Sequence, residues 1–318
     1  METPSEYGPQ LVVVGSANLD ISVPVRHLPR PGETVVGDDH YRAPGGKGAN
    51  QAVASARLGG RTAFVGCLGD DEAGRILRES LDVAGVDTRA VRLVPDVPSG
   101  IALIVVDDEG ENTVTVSPGA NSRLTADELP ASLLSSAAAT LLQLEISLEV
   151  ATRAAELASG LVILNPAPAR VLPDGLLRQI DVLVPNRSEL AALSGVDREP
   201  TELEAIARLA RALPGSTRVV VTLGADGALV VDEERSAHVP SPQVVAVDAT
   251  GAGDAFCGAL GVALVQGLDL IDSAEFAVQA ASLSVTTRGA QPSMPTREEL
   301  EGWLSGSAAS QLLCDLDG

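Results

Sequence analysis

Short, unbroken apolar runs alternate with stretches of helical periodicity along most of the chain, and this predicts strands and helices in succession. Leu11 to Gly15 reads as a buried first strand. Gly45 to Asn50 opens a helix that runs to about Leu58 on small residues, Thr62 to Cys67 is a further strand, and Asp71 to Ala84 a helix. From Leu124 the alternation becomes regular. Leu141 to Leu144 ends at Glu145, a helix covers 147–159, Leu161 to Leu164 ends at Asn165, and Val182 to Val184 ends at Pro185-Asn186. Val219 to Leu223, the turn Gly224 to Gly227 and Leu229 to Val231 read as a hairpin. Val244, Val245 and Val247 read as a strand end that leads through Gly251-Ala252-Gly253 into a helix to about Gly267. A helix over 271–285, a polar loop from Thr286 to Ser293, a last helix near 296–304 and a loose tail from Ser305 complete the reading.

Two excursions interrupt this pattern. Residues 21–44 carry Pro24, Pro29, Pro31 and Pro44 and no helical period, while Ile101 to Val106 is apolar at every position and Thr113 to Val116 alternates. Together they form either a small sheet, with one face over a ligand and the other against a second subunit, or a buried part of the main domain. No internal repeat and no dividing linker is evident, so one domain spanning 1–318 is expected. The fold class is α/β: a doubly wound, mostly parallel sheet flanked by helices.

Composition narrows the function. With 45% apolar residues and only 2% aromatic ones, the core is built from Ala, Val and Leu. A net charge of -21 excludes a nucleic-acid surface or an anionic membrane as partner, because both need clustered cations. It also means that any anionic substrate must be met by local amides, a few arginines and a metal. Cys67, Cys257 and Cys314 are odd in number and lack CxxC spacing, and Met1 to Gln10 has no signal-peptide pattern. A cytoplasmic protein without a membrane span is expected. His27, His40 and His238 are isolated and carry none of the chemistry. Of the 22 basic residues 21 are arginine, and Lys47 alone is lysine.

Candidate chemistry collects at two glycine-rich turns. Gly251-Ala252-Gly253 leaves backbone amides bare at a helix start, a site suited to phosphate oxygens. Asp254 beside it is either a helix cap or a group facing a reacting hydroxyl, and the stretch alone leaves both open. Gly45-Gly46-Lys47-Gly48-Ala49-Asn50 is neither a Walker loop nor a dinucleotide fingerprint, which speaks against a dehydrogenase. Asn18 and Asp20 follow the first strand, where an Asx-turn and a ligand-binding edge are both possible. Glu145, Asn165 and Asn186 end three consecutive strands, each a possible cap and together a binding edge.

Seven stretches in order, GGKGANQAVASARLG, LQLE, NPAPAR, PNRSE, TLGADG, DATGAGDAFCGAL and TTRGAQPSMP, closely resemble the signatures of the ribokinase-like carbohydrate kinases. NPAPAR and GAQPSMP resemble the ribose-specific members more than the fructose or nucleoside kinases. The resemblance implies ATP-dependent phosphorylation of D-ribose, with Asp254 as base and Gly251, Ala252 and Gly253 as anion hole. It implies sugar contacts at Asn18, Asp20, Gly46, Asn50 and Glu145; Lys47, the lone lysine among glycines, is read on its own as a flexible positive charge near sugar or phosphate. Asn186 and Glu189 would organise Mg²⁺ and phosphates through water, and Thr222, Gly224 and Gly227 would form the nucleotide loop with Gly253. Asp248, Thr250, Ser284, Thr287, Gly289 and Ser293 fall at the positions of an activating K⁺. Segments of about 21–44 and 98–118 match a lid that clasps a second subunit in a homodimer. Ala249 departs from the usual threonine. The alternatives are a kinase of deoxyribose, fructose or a nucleoside, or a non-catalytic sugar or nucleotide sensor.

Overall fold

The computed structural model describes residues 10–215 and 218–316, so all but Gln10 of the leading acidic segment lies outside the described residues. The strands are β1 (Leu11–Val14), β2 (Asn18–Pro24), β3 (Tyr41–Gly45), β4 (Thr62–Gly69), β5 (Val91–Val94), β6 (Gly100–Val106), β7 (Asn112–Ser117), β8 (Ala139–Leu142), β9 (Leu161–Leu164), β10 (Val182–Leu183), β11 (Val219–Thr222), β12 (Ala228–Val231) and β13 (Ser236–Val239). The α-helices are α1 (Lys47–Arg57), α2 (Glu72–Val83), α3 (Ala131–Ser136), α4 (Leu148–Leu157), α5 (Asp174–Leu177), α6 (Arg187–Ser194), α7 (Leu203–Ala212), α8 (Ala252–Val265), α9 (Leu270–Ser284), α10 (Ala290–Ser293) and α11 (Arg297–Leu316).

Nine strands form one sheet in the order β13-β12-β11-β10-β9-β8-β1-β4-β5. The pairs from β11 to β5 are parallel, and β12 and β13 close one edge as an antiparallel hairpin extension. Alternate residues of β1 face opposite cores. Leu11 and Val13 pack with α1, α8 and α9, whereas Val12 and Val14 pack with α4, α6 and α7. That two-sided burial is why the central strands read as continuous apolar runs rather than alternating ones. The chain leaves β1 toward β4 on one side and returns to β8 on the other, so a crevice opens beyond the carboxyl ends of β1 and β8.

A second sheet of four strands, β3-β2-β6-β7, stands apart from the first. β2 and β6 run parallel from Asn18↔Gly100 to Pro24↔Val106, with β3 and β7 antiparallel on the flanks. Asn18 and Asp20 therefore sit inside β2, in extended backbone, and not in an Asx-turn. Val114 and Val116 are exposed on the face that also carries Ala102 and Ile104, and Leu103 is exposed on the opposite one.

Two expectations are overturned. Val244 to Val247 forms no strand: Pro240 and Pro242 interrupt the approach, β13 already occupies the sheet edge, and Val245 is 85% exposed. The tail from Ser305 is helical, because α11 continues to Leu316 through residues of good helix propensity such as Ala308, Ala309, Leu312 and Leu313.

Candidate active site

α1 begins where β1 ends, and the packing there demands glycine. Gly46 precedes the helix with φ 87°, and a Cβ on it would lie 2.6 Å from the Asn18 amide nitrogen. The close fit holds Lys47 and Asn50 against the end of β1. Glu145, just past β8, accepts hydrogen bonds from the Lys47 backbone N–H at 3.0 Å and from the Ser16 hydroxyl. It thus bridges the two strands that border the crevice.

Asp254 enters from α8, whose start is turned by Gly251 at φ 78°. The carboxylate is buried, at 7% exposure, and each oxygen accepts one amide: Oδ2 from Asn50 Nδ2 at 2.9 Å, Oδ1 from Gln51 Nε2 at 3.0 Å. Burial pushes its pKa up, while the Lys47 ammonium and the two amides hold it back. Asp254 is the largest influence on Lys47, whose pKa is raised against the opposing effect of burial, and Glu145 and Glu189 add to it. The single lysine is therefore the local counter-charge for several carboxylates. No helix amide is bonded to the Asp254 side chain among the described contacts, so the helix-cap reading is not what this carboxylate does.

Asn18 is held by Asn121, whose Nδ2 donates to Asn18 Oδ1 at 2.8 Å. Asp20 faces inward toward Glu145 and Asp254, and burial, followed by those two charges, raises its pKa to about 7 from 3.8. A folded-state pKa above the unfolded one means that stability is lost as pH rises between about 4 and 7. Asp20→Asn is expected to escape that loss, gaining on the order of 2 kcal/mol over the native protein above pH 7 and little near pH 4. Thermal melts across that range, read as the difference in melting temperature, check it.

Asn186 and Glu189 form a capping box on α6. Asn186 Oδ1 accepts the Glu189 N–H at 2.8 Å, and Glu189 Oε2 accepts the Asn186 N–H at 2.8 Å. The cap does not remove them from the site. Glu189 stays buried with a pKa raised by desolvation, and both residues line a cavity of about 130 Å³ with Lys47, Asn165, Gly251, Gly253 and Asp254. A larger cavity of about 340 Å³ adjoins it at Thr222 and Gly253. Thr222, Gly224, Gly227, Val244, Ala246, Phe256 and Val285 are among its walls, which are mostly apolar.

The loop residues expected to meet a monovalent cation are drawn together in part. Asp248 Oδ1 accepts from the Thr250 N–H and hydroxyl, Oδ2 accepts from the Gly289 N–H at 2.8 Å, and Val247 and Asp248 donate to the Val285 carbonyl. Burial works to raise the Asp248 pKa, but these bonds and Arg288 bring it below its ordinary value. Thr287 lies in the turn between Val285 and Gly289, while Ser284 and Ser293 bond back to carbonyls of their own helices, Ala281 and Ala290.

Sequence reasoning missed Gln51, Asn121 and Gln143, all buried. The available signal was an amide side chain at a position where the surrounding pattern is apolar: Gln51 between Ala49 and Ala52, Gln143 between Leu142 and Leu144.

A doubly wound α/β fold with a buried carboxylate, a lysine and a glycine-turned helix start in its crevice suits phosphoryl transfer to a small molecule. The family model described as pfkB family carbohydrate kinase matches residues 9–297, and the chain belongs to that family. A ribokinase from Haemophilus influenzae is 38% identical over 294 residues, covering 91% of this chain and 96% of the relative. A deoxyribokinase from Salmonella typhi is 36% identical over 303 residues, covering 93% and 98%. The solved structure of Arabidopsis thaliana ribokinase complexed with ribose and ATP superposes with a TM-score of 0.84 at 37% identity, covering 93% of this chain and 98% of that one. Among the described residues no helix is long and apolar enough to cross a membrane.

Proposed function

We propose that this protein is an ATP-dependent sugar kinase that converts D-ribose to ribose 5-phosphate. The observation that carries the reading is the Asp254 carboxylate, buried, bonded by Asn50 and Gln51, and placed at the start of a helix whose turn keeps the Gly251 and Gly253 amides without a partner among the described contacts, while the Ala252 amide donates to the Ala249 carbonyl at 3.2 Å. A sugar hydroxyl within reach of Asp254 attacks the γ-phosphorus of ATP, the bond to the bridging oxygen breaks, ADP leaves, and the hydroxyl proton passes to Asp254. In a loose transition state the acceptor hydroxyl needs orientation more than early deprotonation. The amides of Gly251, Ala252 and Gly253 take up charge on the equatorial oxygens, a contribution on the order of 3 kcal/mol per donor in such sites.

Asn18, Asp20, Gly46, Asn50 and Glu145 hold the sugar in this reading. Asn50 supports it directly: its Nδ2 is committed to Asp254, and its buried Oδ1 has no protein partner, a costly state that a sugar hydroxyl relieves by donating. The purine of ATP occupies the larger apolar cavity beside Thr222, Gly224 and Gly227, with the phosphates running past Gly253 toward Lys47.

Magnesium and potassium fit the residues present in different ways. No group of three or more His, Cys, Asp or Glu among the described residues could hold a metal ion. Magnesium therefore arrives on the triphosphate, with Asn186 and Glu189 reaching its waters, and supplies charge neutralisation. The oxygen donors of Asp248, Thr250, Ser284, Thr287, Gly289 and Ser293 suit a hard monovalent cation, and the Asp248 bonds to Thr250 and Gly289 already join the two loops it would bridge. The four-stranded sheet acts as a lid with its Asp20 face over the sugar, and its opposite face, which exposes Leu103, meets a second copy in a homodimer. A cytoplasmic enzyme is consistent with this chemistry.

A panel of ribose, deoxyribose, fructose and nucleosides with MgATP, with and without K⁺, tests the reading. Ribose is expected to give the highest kcat/KM and K⁺ to raise it. Preference for another sugar would transfer the assignment to that sugar, and ATP consumption independent of any sugar would abolish it.

A further inference from the structure

Asp254 is bonded through Gln51 to a train of buried and half-buried amides that reaches across the ends of three strands. Gln51, fully buried on α1, uses every polar site of its side chain. Its Nε2 donates to Asp254 Oδ1 at 3.0 Å and to Asn165 Oδ1 at 3.3 Å, and its Oε1 accepts from Gln143 Nε2 at 2.6 Å. Asn165 is oriented in turn, because its Nδ2 donates to the Val184 carbonyl at 2.9 Å. Reversing the Gln51 amide would set its oxygen against two acceptors, the Asp254 carboxylate and the Asn165 oxygen that Val184 orients, so these two contacts fix one orientation and Gln143 donates to the oxygen it leaves.

We propose that Gln51, locked amide-forward by Gln143 and Asn165, is a positioning residue that fixes the Asp254 carboxylate in its acceptor orientation and keeps it ionised. The inference rests on the reading of Asp254 as base and extends it to residues beyond the reacting groups. Charged and titratable groups face Asp254 from every side: Lys47 at the start of α1, Glu145 beyond β8, Asp20 on β2, Glu189 on α6, and Cys257 one turn along α8. Against three other carboxyl groups, Lys47 is the only cation named among them. Lys47 does most to hold Asp254 ionised against its burial, and the neutral donors Asn50 and Gln51 add to that hold.

Gln143 is the point at which the idea is most exposed to test. Its Oε1 has no partner, so its known polar contact is the one bond to Gln51. Gln143→Met removes that bond without touching Asp254, and Gln143→Glu places an acceptor where Gln51 needs a donor, favouring the reversed amide. Gln51→Met removes the donor itself.

The test measures kcat and both KM values against pH, together with the Asp254 carboxyl midpoint by infrared difference against Asp254→Asn. For Gln51→Met the midpoint and the acidic limb of kcat are both expected to rise by about one pH unit, which is tenfold in ionisation. kcat falls at least tenfold at pH 6 and recovers in part at higher pH, and both KM values stay within about threefold. Gln143→Met shifts in the same direction by less, and Gln143→Glu by more. A kcat loss equal at every pH with an unmoved midpoint, or profiles identical to the native protein, overturns the proposal. If Gln51→Met does not fold, the two Gln143 variants decide by the same criteria. A midpoint that rises while the kcat profile stays put upholds the positioning role and instead removes Asp254 as base.

Discussion

Asp254→Asn is expected to fold and bind sugar and ATP yet lose turnover by about 10³- to 10⁵-fold. The substitution preserves shape and the possibility of bonds to Asn50 and Gln51, but an amide cannot take the hydroxyl proton. It also relieves the burial of a charge, so the melting temperature is expected to hold or rise. A coupled ADP assay, calorimetric titration with ribose and a thermal melt separate these effects. Turnover within tenfold of the native enzyme would refute the assignment of the base. In the native enzyme, burial raises the Asp254 pKa, so activity falls as pH drops through that raised value and the base protonates.

The second large effect is expected at Lys47. Lys47→Met should lower kcat/KM for ATP by about 10²- to 10³-fold, because the ammonium offsets Asp254, Glu145 and Glu189 in a region where the incoming triphosphate adds further negative charge. Lys47→Arg should not restore it. A broad planar guanidinium does not fill the space of a compact ammonium in a cavity of about 130 Å³ that Glu189 and Asp254 also line. Steady-state kinetics of both variants with ATP as the varied substrate provide the check, and full activity in Lys47→Arg would reduce the residue to a bulk charge.

Legibility in the sequence followed the physics of each segment. β1, β4, β8, β9 and β11 were readable because burial on both faces writes itself as unbroken apolar runs, and the β11–β12 hairpin because Gly224 and Gly227 mark its turn. Val244 to Val247 has the same local composition as a strand but no free edge to join, a fact that only the sheet order contains. The glycine turns pointed to Lys47 and Asp254, but not to each other: their proximity is created by α1 and α8 packing together on one face of the sheet. Asn186 and Glu189 illustrate a different ambiguity, since the cap and the cavity wall are the same two side chains. Gln51 and Gln143 were hidden because a glutamine in an apolar run carries no period, and its value depends on which other amide it meets.

The position of Lys47 has a practical corollary. With no other lysine in the sequence, acylating dyes and resins find their one side-chain target at the mouth of α1, half-buried beside Asp254, rather than on the outer surface. Side-chain amine labelling of this protein, counted apart from the α-amino group, is thus a footprint of the candidate cleft.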